Sequence, residues 1–148
     1  MATRLSVSLK AKHAMKVTRL SIRSKKLVYV IVAQKPLKYP SGSRSRIAYI
    51  GTTRKGVARI ARSVAAKAKD VLGLHGVREF EVRILTCTPR RNVKTWLKLE
   101  RALLAVFRRE YGAPPKCNTI GKRVKWRDDI EGKYFKRRRL ENILASLA

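Results

Sequence analysis

The sequence predicts an α/β domain whose elements run strand, strand, helix, strand, helix, followed by a last helix near the C-terminus. Three observations carry this. Leu27-Val-Tyr-Val-Ile-Val-Ala33 is an unbroken, mostly β-branched apolar run. Glu79 to Thr88 alternates apolar and polar residues. Two longer segments, one from Val57 and one from Val93, repeat apolar residues at helical spacing.

The run from Leu27 to Ala33 has no polar side, so it reads as a central strand buried on both faces. A turn-rich stretch follows from Pro36 to Arg46, punctuated by Pro40-Ser-Gly-Ser. Arg46-Ile-Ala-Tyr-Ile-Gly51 then reads as a second strand, giving an antiparallel hairpin with a long connection. Thr52 or Thr53 can cap the first helix. Its stripe is Val57, Ile60, Ala61, Val64, Ala68, Val71 and Leu72, and Gly73 ends it. In the third strand Phe80, Val82 and Ile84 face one side, Glu81 and Arg83 the other.

Asn92 is the expected cap of the second helix, and Gly112 its stop. The stripe is Val93, Trp96, Leu97, Leu103, Leu104, Phe107 and Tyr111. Ala113-Pro114-Pro115 breaks the chain, and residues 116–120 form a loop or short edge strand. A last helix between Tyr134 and Leu147 groups Phe135, Leu140, Ile143, Leu144 and Leu147 on one face. The expected division is a basic arm over residues 1–26, a globular unit over 27–120, and a basic C-terminal extension over 121–148.

Charge points to the partner. The 148 residues include 37 Lys and Arg against 9 Asp and Glu, a formal charge of +28. No acidic residue precedes Asp70, so the first half has no internal anion to neutralise it. A field of this sign attracts polyanions, and nucleic acid is the expected one, RNA over DNA. The candidate phosphate contacts are Arg4, Lys10, Lys12, Lys16, Arg19, Arg23, Lys25 and Lys26 in the arm. In the domain they are Arg44, Arg46, Arg54 and Lys55. In the extension they are Lys122, Arg123, Lys125, Lys136, Arg137, Arg138 and Arg139. A membrane is not expected: the longest apolar run, Leu27–Ala33, is far too short to span one. Apolar residues make up 45%, which excludes a wholly disordered tail. Cys87 and Cys117 form no C-x-x-C pair, and His13 and His75 complete no zinc spacing. The Arg/Ser-rich, acid-free start is also the chemistry of transit peptides, so an organellar matrix stands beside the cytoplasm as the expected compartment.

Glu100 interrupts an apolar face. Trp96, Glu100, Leu103, Phe107 and Tyr111 are spaced by four, three, four and four. Burying an unpaired carboxylate costs several kcal/mol. Either the stripe opens onto a cleft there, or Glu100 is bound to a metal or paired with an arginine. Tyr29 and Tyr49 sit near matching places in the first two strands, where pairing can bring the phenols together.

Taken together these residues resemble the GIY-YIG endonuclease superfamily. Leu27-Val28-Tyr29 looks like its first element with the glycine replaced, and Tyr49-Ile50-Gly51 is its second in full. Arg59, ten residues past Tyr49, is similar to the family arginine, and Glu100 to the metal-binding glutamate. Asn118, in Pro114-Pro115-Lys-Cys-Asn118, is similar to the family asparagine. The likeness covers residues 27–120. The segment between the two tyrosine elements is longer than usual, and Ser63 stands where the family often has His or Tyr.

The resemblance implies a small α/β sandwich, a three-stranded antiparallel sheet flanked by helices, and hydrolysis of phosphodiesters with one Mg²⁺ or Mn²⁺ ion. In it Glu100 would hold the metal and Arg59 would neutralise charge on the phosphorane-like transition state. Tyr29 or Tyr49 would orient or deprotonate water, and Asn118 would position the groups. Two functions follow. One is a structural RNA-binding component of a ribonucleoprotein, such as a ribosomal protein on rRNA, with no cofactor. The other is an active divalent-metal-dependent endonuclease of DNA or RNA. Extreme charge on both sides of the domain favours residence on RNA, because each neutralised phosphate adds affinity that turnover must undo.

Overall fold

The computed structural model of the chain describes residues 4–12, 16, 22–118 and 132–148. Strands β1 (Leu27–Lys38), β2 (Arg44–Thr53) and β3 (Phe80–Leu85) form one sheet in the order β2-β1-β3, with both pairings antiparallel. Helices α1 (Val57–Leu72), α2 (Thr95–Tyr111) and α3 (Arg137–Leu147) flank it. β1 is the central strand, and every residue from Leu27 to Ala33 is buried. Successive side chains point to opposite faces, so complete burial means that both faces are covered.

The hairpin is tighter than its sequence suggests. The expected connection Pro36–Arg46 shrinks to residues 39–43, because β1 continues through Pro36 and β2 starts at Arg44. A proline cannot donate to a ladder, and the sheet accommodates it with an irregularity. Val32 pairs with Ile47 and Leu37 with Ser45, so residues 33–36 stand opposite Arg46 alone. Gln34 uses the slack to hold the entry to β3. Its Nε2 donates to the Gly76 carbonyl at 2.9 Å, and its Oε1 accepts from the amides of Arg78 and Glu79, each at 3.3 Å.

Helices α1 and α2 end at glycines and start where tertiary structure places them. Gly73 closes α1, and Gly112, at φ 79°, closes α2 with its amide on the Arg108 carbonyl at 2.8 Å. The expected N-caps are not used. Thr52 and Thr53 are consumed by β2, where Thr52 pairs with Val28 and Thr53 with Leu27, and α1 starts after Gly56. Asn92 sits at φ 59° in a turn, and α2 begins at Thr95. Leu97, assigned to the α2 stripe, is exposed.

Helix α3 and the residues just before β1 are fastened to the domain. Leu140, Leu144 and Leu147 of α3 are buried in the common core, with Phe135 and Ile143 packed against it. Ile22 also packs on the core, and the Lys25 carbonyl accepts the Gly56 amide at 2.8 Å. Residues 4–12 are exposed. Among the described residues no helix is long and apolar enough to cross a membrane.

Candidate functional site

Two tyrosines meet across the β1–β2 pairing. Tyr29 lies directly opposite Gly51, and Tyr49 opposite Ile31, so the phenols are diagonal neighbours on one face. Their ring centroids are 5.8 Å apart at an interplanar angle of 39°. Gly51 makes this possible. A Cβ at that position would lie 2.6 Å from Tyr49 Cε1, 2.8 Å from Tyr29 Cζ and 2.9 Å from Tyr29 Oη. The glycine of Tyr49-Ile50-Gly51 is therefore required by the two rings it separates, not by a backbone angle.

Glu100 approaches from α2. Burial raises its carboxyl above the usual carboxylate range, while the Thr52 side chain, by hydrogen bonding, and the charge of Arg101 pull it back. Burial also pushes the Tyr49 phenol well up, with Tyr29 next in effect and the Glu100 charge after it. Tyr29, Tyr49, Thr52 and Glu100 thus act on one another from β1, β2 and α2. Among the described residues no arginine stands within ion-pair distance of Glu100, although the charge of Arg101 acts on it. Among the described residues, Arg137 aside, the ion pair formed is Arg83–Glu81 at 3.4 Å, on the surface.

A metal here would depend on one carboxylate, since no group of three or more His, Cys, Asp or Glu converges among the described residues. That donor set fits Mg²⁺, which keeps several waters and binds proteins through one or two carboxylates plus substrate phosphate.

Asn118 works on the backbone. Its Oδ1 accepts the Ile50 amide at 3.0 Å, and its Nδ2 donates to the Ile50 carbonyl at 2.8 Å. One residue earlier, the Cys117 amide donates to the Ala48 carbonyl at 2.9 Å. The loop after Pro115 therefore closes the outer edge of β2 at the residue between Tyr49 and Gly51. Replacing Asn118 with Ala leaves both Ile50 groups without this partner. The expected loss is about 1–2 kcal/mol in denaturant-induced unfolding, and an unchanged midpoint would show that water takes over the bonds.

Arg59 is not brought to this site. Its side chain is exposed on α1 and makes no hydrogen bond, ion pair or ring contact among the described residues. The residue that sequence reasoning missed is Lys67. Its Nζ lies 5.0 Å from the Tyr49 ring centroid and donates to the Cys117 carbonyl at 3.4 Å. The signal was present: Lys67 falls at the helical period of Ile60, Val64 and Val71, a cation in an apolar stripe. Thr52, read as a helix cap, is the other.

The candidate phosphate contacts lie mainly on the surface. Arg4, Lys10, Lys12, Lys16, Arg23, Lys25, Lys26, Arg44, Arg54, Lys55, Lys136, Arg138 and Arg139 are exposed. Lys26 also places its ammonium 4.6 Å from the Trp96 ring centroid. Arg46 is half-buried, with Nε donating to the Ala148 carbonyl at 3.3 Å, and Arg137 is half-buried with a partner of its own. Arg19, Lys122, Arg123 and Lys125 lie outside the described residues.

Compared with protein-family models, with curated proteins and with solved structures, the chain matches none of them. The class defined by the fold is a small α/β domain, a three-stranded antiparallel sheet flanked by three helices.

Proposed function

We propose that this chain binds nucleic acid through the phosphate backbone, RNA in preference to DNA, as a resident component of a ribonucleoprotein such as the ribosome. The observation that carries this reading is uncompensated charge. The 37 Lys and Arg face 9 Asp and Glu, and among the described residues, Arg137 aside, the ion pair formed is the surface pair Arg83–Glu81. Helix starts deepen the imbalance. None of the three described helices has an acidic residue in its first turn, and the first turn of α3 carries the exposed Arg138 and Arg139. Cations at the positive end of a helix are unfavourable until an anion joins them. The test is a salt titration of binding to an RNA duplex and to unrelated RNA sequences. With 6–10 phosphate contacts, affinity should fall by about 10³–10⁵ between ~50 and ~200 mM salt. It should vary little with sequence, because phosphate contacts carry no base information. A flat salt response would remove the electrostatic account.

A second reading has its own observation. A half-buried carboxyl without an ion pair among the described residues, beside two phenols packed around a glycine, is costly for a scaffold and suits a GIY-YIG-type phosphodiesterase. Glu100 would hold Mg²⁺ or Mn²⁺, which when bound polarises the phosphate and stabilises the leaving oxygen. Tyr49, its phenol pushed up by burial, keeps its proton. It therefore suits holding a water by hydrogen bonding better than abstracting a proton. Tyr29, which is buried, fixes the Tyr49 ring. Asn118 sets the β2 backbone beneath them. Nicking of plasmid or cleavage of RNA by the purified protein with Mg²⁺ tests this reading directly.

A further inference from the structure

The resemblance assigns the phosphate-neutralising cation to Arg59, yet the fold turns that residue outward. The buried face of α1 is marked by Ile60 and Val71, with Val57 and Val64 packed against the core. Arg59 precedes Ile60 by one residue and lies about 100° around the helix from it. Lys67 follows Ile60 by seven residues and returns to the same face. These two of the four basic residues of α1 therefore have different surroundings, and of the pair only Lys67 reaches the tyrosines.

The Lys67 ammonium is held from two sides. The Tyr49 ring lies beneath it, with the centroid 5.0 Å away, and the Cys117 carbonyl accepts from it at 3.4 Å. Cys117 is itself bonded to Ala48, and Asn118 clasps Ile50, so the ammonium is anchored to the stretch of β2 that carries Tyr49. One long hydrogen bond occupies one of three ammonium protons. The side chain is half-exposed, which leaves the remaining donors open to an anion. Across the site Glu100 presents a carboxylate, whose charge reaches Tyr49 from α2. A phosphate would be repelled by that carboxylate unless a cation stood near.

We infer that Lys67, rather than Arg59, is the phosphate-binding cation of the tyrosine site. The inference rests on the second reading above for its chemistry, though not for its binding. In hydrolysis the oxygen of water bonds to phosphorus and the bond from phosphorus to the leaving oxygen breaks; of the water's two protons, one ends on the leaving oxygen and the other is released from the new phosphate to solvent. Negative charge grows on the non-bridging oxygens, and the Lys67 ammonium donates to one of them, as lysine does at many phosphate sites.

A purely structural Lys67 would only tie α1 to the loop at Cys117, so the test uses two readouts on the full chain. Lys67→Met keeps most of the apolar stem and removes the charge. Lys67→Arg restores the charge. Lys69→Met removes a charge from an exposed position on the same helix. With Mg²⁺ and an RNA or plasmid substrate, Lys67→Met should lower cleavage by about a hundredfold, mainly in kcat. Lys67→Arg should recover most of it, and Lys69→Met should cleave like the wild type. Independently, a short phosphodiester oligonucleotide should shift the ¹³C ring resonance of Tyr49 in the wild type and in Lys69→Met, and not in Lys67→Met. An oligonucleotide that shifts Tyr49 equally in Lys67→Met overturns the inference. So does one that leaves Tyr49 unmoved in the wild type, or cleavage that is lost in Arg59→Met and intact in Lys67→Met. A Lys67-dependent Tyr49 shift without any cleavage removes the nuclease reading and leaves Lys67 as a phosphate site.

Discussion

Replacing Gly51 with Val should destabilise the protein by about 3 kcal/mol, the upper end of what overpacking a close-packed interior costs. At this chain length that corresponds to a fall in Tm of roughly 10 °C. The cause is local and specific. The new Cβ would stand within 3 Å of atoms of both Tyr29 and Tyr49, and β2 cannot retreat, because Gly51 is paired with Tyr29 in the sheet. Thermal melts of Gly51→Val, Tyr29→Ala and the double variant check the mechanism. If the clash is with the rings, the two changes must couple, and the double variant should be less destabilised than the sum of the singles. Gly42→Ala is the reference for backbone strain alone. Its φ is 89°, and nothing lies within 4 Å of the added carbon, so it should cost only about 1–2 kcal/mol. A Gly51→Val protein as stable as the wild type would mean that the phenols do not meet over this residue.

Glu100→Gln should act in opposite directions on stability depending on whether a divalent metal is present. Without metal, burial raises the folded-state pKa of Glu100, so the ionised carboxylate is disfavoured in the folded protein. A raised pKa contributes stability that is full below the unfolded value and lost as pH rises through the folded one. Above that folded value the wild type has lost the contribution, and the uncharged Gln has nothing to lose. The variant should therefore melt higher, by on the order of a few degrees, and the gap should close as pH falls toward the carboxylate range. Glu110 shifts in the same direction, through burial and then Glu141, and is common to both proteins. An internal ion pair would reverse the sign, since removing the carboxylate would strand its cation.

With metal the order should change. Mg²⁺ at a hundredfold excess over its Kd stabilises a binding protein by about 2.7 kcal/mol. That gain should appear in the wild type and be absent from Glu100→Gln. Any Mg²⁺-dependent cleavage should disappear in Glu100→Gln and in Glu100→Ala alike. Equal stabilisation of wild type and Glu100→Gln by Mg²⁺ would take Glu100 out of the metal-site reading and the nuclease proposal with it.

Much of this architecture is legible without coordinates, and the reason is local. The unbroken apolar run at Leu27–Ala33 can be satisfied only by a strand covered on both faces. Gly112 ends α2 because its left-handed backbone, at φ 79°, favours a residue without a Cβ, whereas Gly73 ends α1 at an ordinary helical φ of −78°. The charge requires no fold to be read. Glu100 stood out because an acidic residue in an apolar stripe is a conflict that periodicity exposes. The tyrosine pair was visible as two aromatic residues in adjacent strands.

What lay beyond the sequence depended on register and on groups far apart in the chain. The caps at Thr52 and Asn92 failed because the ladder with β1 claims the first and a turn claims the second; propensity states only what a residue can do. Pro36 reads as the start of a loop, and it stays in β1 because the pairing with β2 skips four residues there. Asn118 is a polar residue after a proline loop until β2 lies alongside it, when its amide matches both polar groups of Ile50. The sequence pattern assigns the C-terminal helix to an extension. It belongs to the core, because Leu140, Leu144 and Leu147 find apolar partners on elements that no local pattern can specify. Periodicity sets Lys67 in the apolar stripe of α1 and Arg59 outside it, but it does not say what that stripe meets. The packing of α1 decides, since burying Ile60 and Val71 turns Lys67 toward Tyr49 and leaves Arg59 in solvent.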